Sequence, residues 1–298
     1  MEAKVLSNLD SKKQNLSNKR FVDKIKIISD FLEWNFSVYK KKEIKDPKVD
    51  EAIFNLKKKT CFVYKNFFNK KETQDIKKNI NANLKKSNTN IRKEVLYRER
   101  TVYDPTQYPF LKKIIKKKFI ADLSKKFYSS NNVKFMKITY EKKIGIGEMK
   151  HEKVKKIADD YQYHADRPYG WLKFCLILKD ITESNGPLCI IPETHKWPKN
   201  FYDLKYRFLT FYGNNQINPF ILPTFKSNEI KKYFNVESEI KLTGKEGDLL
   251  IFNTAAYHKG DNLKKGYTRE VLWFYTIFPS SFEAVKKKIK SLTNSPKN

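Results

Sequence analysis

Arginine is scarce in this chain. Of its 62 basic residues, 55 are lysine and seven are arginine, against 33 acidic residues and a formal net charge of +29. Base edges and phosphates are read mostly by arginine forks. The lysines also run along the whole chain, in clusters such as Lys40-Lys41-Lys42, Lys57-Lys58-Lys59 and Lys286-Lys287-Lys288. The charge therefore reads as a solvated lysine surface and not as a nucleic-acid footprint. It would still draw anions toward the protein, an effect that salt weakens.

Cysteine is equally sparse. Cys61, Cys175 and Cys189 stand far apart or in apolar runs, and no CxxC occurs. Neither a zinc knuckle nor a disulfide framework is suggested, and an odd set of thiols fits a reducing compartment. No apolar stretch approaches the roughly 20 residues of a membrane-spanning helix. The start, MEAKVLSNLDSKKQ, carries no apolar run after its charges and so predicts no secretory signal. A cytoplasmic protein is expected. Its 298 residues suit one large domain or two modest ones, and 40% apolar residues suffice for a substantial core.

Residues 1 to about 55 read as a helical, peripheral extension, since Phe21, Ile25, Ile28, Leu32 and Phe36 recur at helical spacing. Pro47 is expected to help end it. Cys61-Phe62-Val63-Tyr64 reads as a strand, followed by a polar helix from about Lys71 to Lys85. Leu111, Ile114, Ile115 and Phe119 form one helical stripe, with lysines opposite. Strands then dominate, near 133–141, 171–179, 187–191, 240–243, 248–252 and 269–278. Turn signals at Asn185-Gly186-Pro187, Gly244, Gly247-Asp248 and Gly266 separate them. Many short strands with few helices between them argue for a sandwich or barrel. Segment 197–235, aromatic and without period, reads as an insertion that covers a site. Residues 282–298 read as a basic tail.

Only four histidines occur: His151, His164, His195 and His258. In Tyr163-His164-Ala165-Asp166, an extended backbone puts His164 and Asp166 on one side. The run Gly247-Asp248-Leu249-Leu250-Ile251-Phe252 leads to Tyr257-His258. Two imidazoles and one carboxylate on one side of an ion leave positions open opposite, which suits iron(II) with a cosubstrate and oxygen. Each piece alone is weak: a single His-x-Asp is common in surface loops, and a single histidine after a strand is usually satisfied by a hydrogen bond.

The flanking sequence adds order. Trp171 to Asp180 is an apolar strand ending in an acid. Asn185-Gly-Pro-Leu-Cys-Ile-Ile-Pro-Glu-Thr-His195-Lys196 follows. Arg269 stands eleven residues after His258, opening Glu270-Val-Leu-Trp-Phe-Tyr275. In order and spacing, residues 55 to 280 resemble the phytanoyl-CoA dioxygenase family of iron(II)/2-oxoglutarate oxygenases. The resemblance implies a mainly β fold with flanking helices, the double-stranded β-helix or jelly roll. It implies Fe(2+) and 2-oxoglutarate as cofactors, molecular oxygen and a small molecule as partners, and hydroxylation with release of succinate and CO2. It matches His164, Asp166 and His258 to the iron ligands, and Arg269 to the arginine that grips the distal carboxylate of 2-oxoglutarate. A guanidinium suits that task, since it pairs bidentately and keeps its charge. In related halogenases a small residue replaces the carboxylate. Asp166 fills that position, which favours hydroxylation.

The chain departs from the family in four places. Glu193-Thr194 stand where the family has Gly-Ser. His195 matches a histidine that is not a ligand and reads as structural. Val271 replaces a serine that helps hold 2-oxoglutarate in some relatives, which leaves Tyr140, Lys173 and Tyr275 as candidate partners. Residues 141–161 read as a charged insertion. Alternation puts Lys173, Cys175 and Ile177 on one face: an inward Lys173 needs an anionic partner, and an outward one is a surface lysine. The expected domains are the extension 1–55, an oxygenase domain 56–281 and the tail 282–298. The rival readings are a nucleic-acid-binding or nucleic-acid-modifying basic protein and a catalytically inactive jelly-roll module. The sequence fixes neither the substrate nor the oligomeric state.

Overall fold

The computed structural model describes residues 44–84, 89–93, 96–136, 138–146, 162–166, 170–196, 224–225 and 230–277, with Ile25 and Ser29 as isolated positions. The chain divides into two compact units, 40–278 and a second made of 1–39 with 279–298. The expected N-terminal helix and basic tail, and most of the insertion 197–235, lie outside the described residues.

The order of elements is α1 (Pro47–Lys58), β1 (Cys61–Tyr64), α2 (Lys70–Leu84), β2 (Thr89–Lys93), β3 (Leu96–Tyr103), α3 (Pro109–Ile115), α4 (Lys118–Tyr128), β4 (Lys134–Phe135), β5 (Ile138–Gly145), β6 (Tyr163–His164), β7 (Leu172–Ile177), β8 (Leu188–Ile190), β9 (Thr224–Phe225), β10 (Ile240–Leu242), β11 (Leu249–Asn253), β12 (His258–Gly260) and β13 (Thr268–Ile277). Pro47 opens a helix and does not close one. It sits in the first turn, after Asp46 has capped the amides of Lys48 and Val49. Val49, Ala52 and Leu56 are buried. The stripe read over Leu111–Phe119 is split, because α3 ends at Ile115 and α4 begins at Lys118.

Two antiparallel sheets form a jelly roll. The 8-stranded sheet runs β1-β11-β7-β13-β5-β3-β2, with β4 on β13, and the 5-stranded sheet runs β10-β8-β12-β6-β9. Register settles which side chains face the other sheet. Leu250 lies opposite Cys175, Cys175 opposite Trp273, and Val271 opposite Ile177. These residues form one core with Leu188, Ile190 and Leu242 of the smaller sheet. The reverse face of the larger sheet is buried too: Phe174 stacks on Phe274, and the Tyr128 hydroxyl of α4 meets Thr276 at 2.6 Å. A strand buried on both faces needs a continuous apolar run, which Leu249-Leu250-Ile251-Phe252 supplies.

The turns that the sequence marked are held by named contacts. Asp248 accepts from the Asn66 amide at 2.7 Å and the Lys245 amide at 2.9 Å, and pairs with Lys65, so one carboxylate ties two loops to the start of β11. Gly247 has φ +90, and a Cβ there would stand 2.2 Å from the Phe68 carbonyl oxygen. Asn185 donates to the Thr268 carbonyl at 2.8 Å and so anchors the start of β13, next to Arg269.

The Glu193-Thr194 turn keeps a glycine-like shape. Glu193 adopts φ 63, the left-handed region. Its amide donates to the Thr60 hydroxyl at 2.8 Å, and that hydroxyl also meets His195 Nδ1 at 2.8 Å. The Thr194 hydroxyl donates to the Ile191 carbonyl and accepts from the Tyr257 amide at 2.9 Å. This turn thus braces the residue before His258.

Candidate metal and cosubstrate site

His164 and His258 sit directly opposite each other on β6 and β12. Facing positions on antiparallel strands project to one side, and the two rings stand 4.4 Å apart, centroid to centroid. Each ring is fixed by its own backbone. His164 Nδ1 lies 2.8 Å from the Gln162 carbonyl oxygen, and His258 Nδ1 lies 2.9 Å from that of Ala256. A carbonyl only accepts, so each Nδ1 carries a proton and each ring turns its Nε2 toward Asp166. Asp166 lies just past the end of β6, where its amide donates to the Thr254 carbonyl at 3.0 Å. Its Oδ1 stands 3.7 Å from His164 Nε2 and 3.6 Å from His258 Nε2.

Among the described residues, His164, Asp166 and His258 are the group of metal-capable side chains that converges, with ligand atoms within 4.8 Å of one another. The buried Nε2 of His258 has no hydrogen-bond partner, an orphan that a metal would satisfy. Two imidazoles and one carboxylate fit iron(II). Burial, with the neighbouring His164, pulls the His258 imidazole down to about 3, which keeps it neutral and ready to coordinate. Burial alone would raise Asp166, but Lys173, His258 and His164 together hold its carboxyl well below the usual range.

Lys173 faces inward. Its Nζ lies 3.3 Å from Asp166 Oδ2 and over the rings of Phe252, Trp273 and Tyr275, at 5.5, 5.1 and 4.6 Å from their centroids. Burial opposes its charge, yet Asp166 wins and the ammonium titrates above the ordinary lysine range. Tyr275 shares this face through its pairing with Lys173. Tyr140 does not. It pairs with Leu272 and Thr101 on the reverse face, because β5 turns each successive side chain to the opposite side. Of the three candidate cosubstrate partners, Lys173 and Tyr275 thus share the face of the histidines and Asp166, and Tyr140 lies on the other.

Its neighbour Glu141 faces the interior instead. Arg269 is buried on the same face. Its Nη1 donates to the Gly186 carbonyl, its Nη2 to Glu141 Oε1 at 3.0 Å, and its Nε has no partner. Glu141 also receives Arg98 Nη2 at 3.1 Å and Lys143 Nζ at 3.6 Å. Arg100 lies across from Glu141 on β3. Residues 141–145, expected to open a charged insertion, instead continue β5 to Gly145, and residues 147–161 of that stretch lie outside the described residues. Arg98, Arg100, Glu141 and Lys143 went unrecognised as interior residues. For the two arginines a signal existed: Arg98 and Arg100, like Arg269, fall in a strand-like stretch and not in a lysine-rich surface run.

The sequence model of the family described as phytanoyl-CoA dioxygenase (PhyH) matches residues 61–269, more than two thirds of the chain. The chain belongs to the phytanoyl-CoA dioxygenase family. No curated protein shows significant sequence similarity to it. Solved structures resemble this phytanoyl-CoA dioxygenase family member in fold. The epimerase SnoN, in complex with Fe3+, alpha ketoglutarate and nogalamycin RO, is 10% identical with TM-score 0.54, over 78% of this chain and 84% of SnoN. EctD from S. alaskensis, with 2-oxoglutarate and 5-hydroxyectoine, is 13% identical with TM-score 0.54, over 81% of each chain. HygX from Streptomyces hygroscopicus, with nickel and 2-oxoglutarate bound, is 11% identical with TM-score 0.51, over 76% of this chain and 85% of HygX. At these identities the likeness establishes the jelly roll alone. Among the described residues, no helix is long and apolar enough to cross a membrane.

Proposed function

We propose that the protein is an iron(II)- and 2-oxoglutarate-dependent dioxygenase that hydroxylates a small anionic metabolite, with release of succinate and carbon dioxide. The observation that carries this reading is the convergence of His164, Asp166 and His258, with both Nε2 atoms turned toward Asp166 Oδ1. Iron(II) held there would supply the oxygen activation and the oxidative decarboxylation of 2-oxoglutarate. The chain's own residues bind and orient. Arg269 takes the distal carboxylate of 2-oxoglutarate through the donors that its bonds to Gly186 and Glu141 leave over, the unpartnered Nε among them, with Arg98 and Lys143 beside it. Their excess of positive charge over the single carboxylate of Glu141 supports an anionic cosubstrate at this end of the barrel. SnoN, EctD and HygX carry 2-oxoglutarate or alpha ketoglutarate, which supports the cosubstrate. SnoN is an epimerase, so the fold alone does not select hydroxylation; that part rests on Asp166 filling the position that halogenases leave open.

The reading places the oxygenase domain at 56–281, between the extension 1–55 and the tail 282–298, with segment 197–235 over the site. The end of that segment supports this: Ile230 and Phe234 pack with Tyr163 and Tyr257, neighbours of the two histidines. A cytoplasmic location is supported by three free, buried cysteines.

The test is succinate formation from 2-oxoglutarate by iron(II)-loaded protein, against a panel of small anions. Wild type is expected to turn over slowly without substrate and faster with the right one. His164→Ala and His258→Ala are expected to lose both turnover and iron binding. Absence of 2-oxoglutarate binding and of uncoupled turnover in wild type would sink the reading.

A further inference from the structure

We propose that Lys173 is a positioning residue: it clamps the outer oxygen of Asp166, so that the carboxylate offers the metal a single oxygen, Oδ1. This rests on the reading of His164, Asp166 and His258 as metal ligands. The two oxygens of Asp166 have different surroundings. Oδ1 faces both imidazoles at 3.6 and 3.7 Å, whereas Oδ2 faces the Lys173 ammonium at 3.3 Å. A carboxylate tied in this way cannot swing to chelate through both oxygens without giving up its cation. One coordination position therefore stays open for a cosubstrate atom.

The clamp is itself held in place. Register fixes Lys173 between Phe252 on β11 and Tyr275 on β13. The ammonium sits against the faces of Phe252, Trp273 and Tyr275, which attract a cation without competing for its hydrogen bonds. Among the described residues, Asp166 is the carboxylate within ion-pair reach of Lys173. A charge this buried needs such a partner, so the lysine has one place to act. Val271 already marks this chain as departing from its relatives around the site.

Residues behind a metal ligand typically contribute 10–100-fold to metal affinity. The experiment is titration of the full-length protein with cobalt(II), read by chelator competition and by the visible absorption bands of the bound ion. Lys173→Met removes the charge and keeps the length. It is expected to weaken cobalt binding by about 10–100-fold and to change the band intensities, which report coordination number. Lys173→Gln carries the comparison if the Met variant does not fold. In an Asp166→Asn background, Lys173→Met is expected to add less than about twofold, because the lysine acts through Asp166. Unchanged affinity and spectrum in Lys173→Met would overturn the proposal. So would an equal loss with Asp166 already replaced, which would make the effect a general structural one. Failure of wild type to bind cobalt would overturn the ligand reading itself, a different outcome from either.

Discussion

Replacing Glu141 tests how the interior charges are held. Glu141 is one buried carboxylate shared by Arg269 at 3.0 Å, Arg98 at 3.1 Å and Lys143 at 3.6 Å. Glu141→Gln leaves the volume and one accepting oxygen but removes the negative charge. A pair at 3.0 Å attracts with about 5 kcal/mol at an effective dielectric of about 20, part of it offset by the desolvation already incurred. Removing one member of a buried pair costs about 3–5 kcal/mol, because the other charge stays buried. Gln keeps a hydrogen bond, so the expected loss lies near about 3 kcal/mol. For a unit of this size, that lowers the melting temperature by about 6–12 °C. The measurement is urea unfolding of the metal-free protein followed by circular dichroism, with a fall in midpoint at constant slope. A loss below about 1 kcal/mol, the range of an exposed pair, would refute the claim that Glu141 is the anion that makes this cationic interior tenable.

Glu193→Gly should raise stability by about 0.5–1 kcal/mol, since relief of the left-handed strain at φ 63 exceeds the entropy lost by glycine and the exposed pair with Lys196; a lower melting temperature would contradict it. The metal-free protein should lose stability as pH falls from about 6.5 toward 3. His258 is depressed to about 3 in the fold, so its contribution is fully present above the unfolded value of 6.5 and disappears as the unfolded chain takes up the proton first. Denaturant midpoints measured across that range in wild type and His258→Ala should diverge upward of pH 5 and converge below pH 4, and parallel curves would count against it.

How much was legible follows from what each strand faces. Strands β7, β11 and β13 carry long apolar runs because both their faces are buried, and their positions in the sequence reading nearly coincide with the structure. Strand β3, Leu96–Tyr103, went unread for the opposite reason. Its inward positions include Arg98 and Arg100, so alternation gives charge where an ordinary core strand gives valine or leucine. The same cause shortened β5: Glu141 and Lys143 looked like the start of a polar insertion, yet they continue the strand into the barrel. The strands that carry the histidines, β6 and β12, span two and three residues. That is too short for any periodicity, so only motif order pointed to them.

The residues that were misread share one property. Period-based reading assumes that the face turned inward is apolar, and an oxygenase barrel breaks that assumption where it binds. Tyr140 was read as a candidate partner of the cosubstrate and Glu141 as the start of an insertion, whereas register puts Tyr140 opposite Leu272 on the far face and Glu141 opposite Val271 on the near one. Lys173 shows the converse. Its alternation with Cys175 and Ile177 was visible, but whether that face looks inward depends on β11 and β13 flanking β7 on either side. Pairing across more than 70 residues of sequence decides it, and no local pattern reports such pairing. An ionisable residue inside an otherwise apolar strand is therefore the feature to weigh in such a chain. Here Arg98, Lys143, Lys173 and Arg269 each lie within reach of a carboxylate, and Arg100 stands across from Glu141.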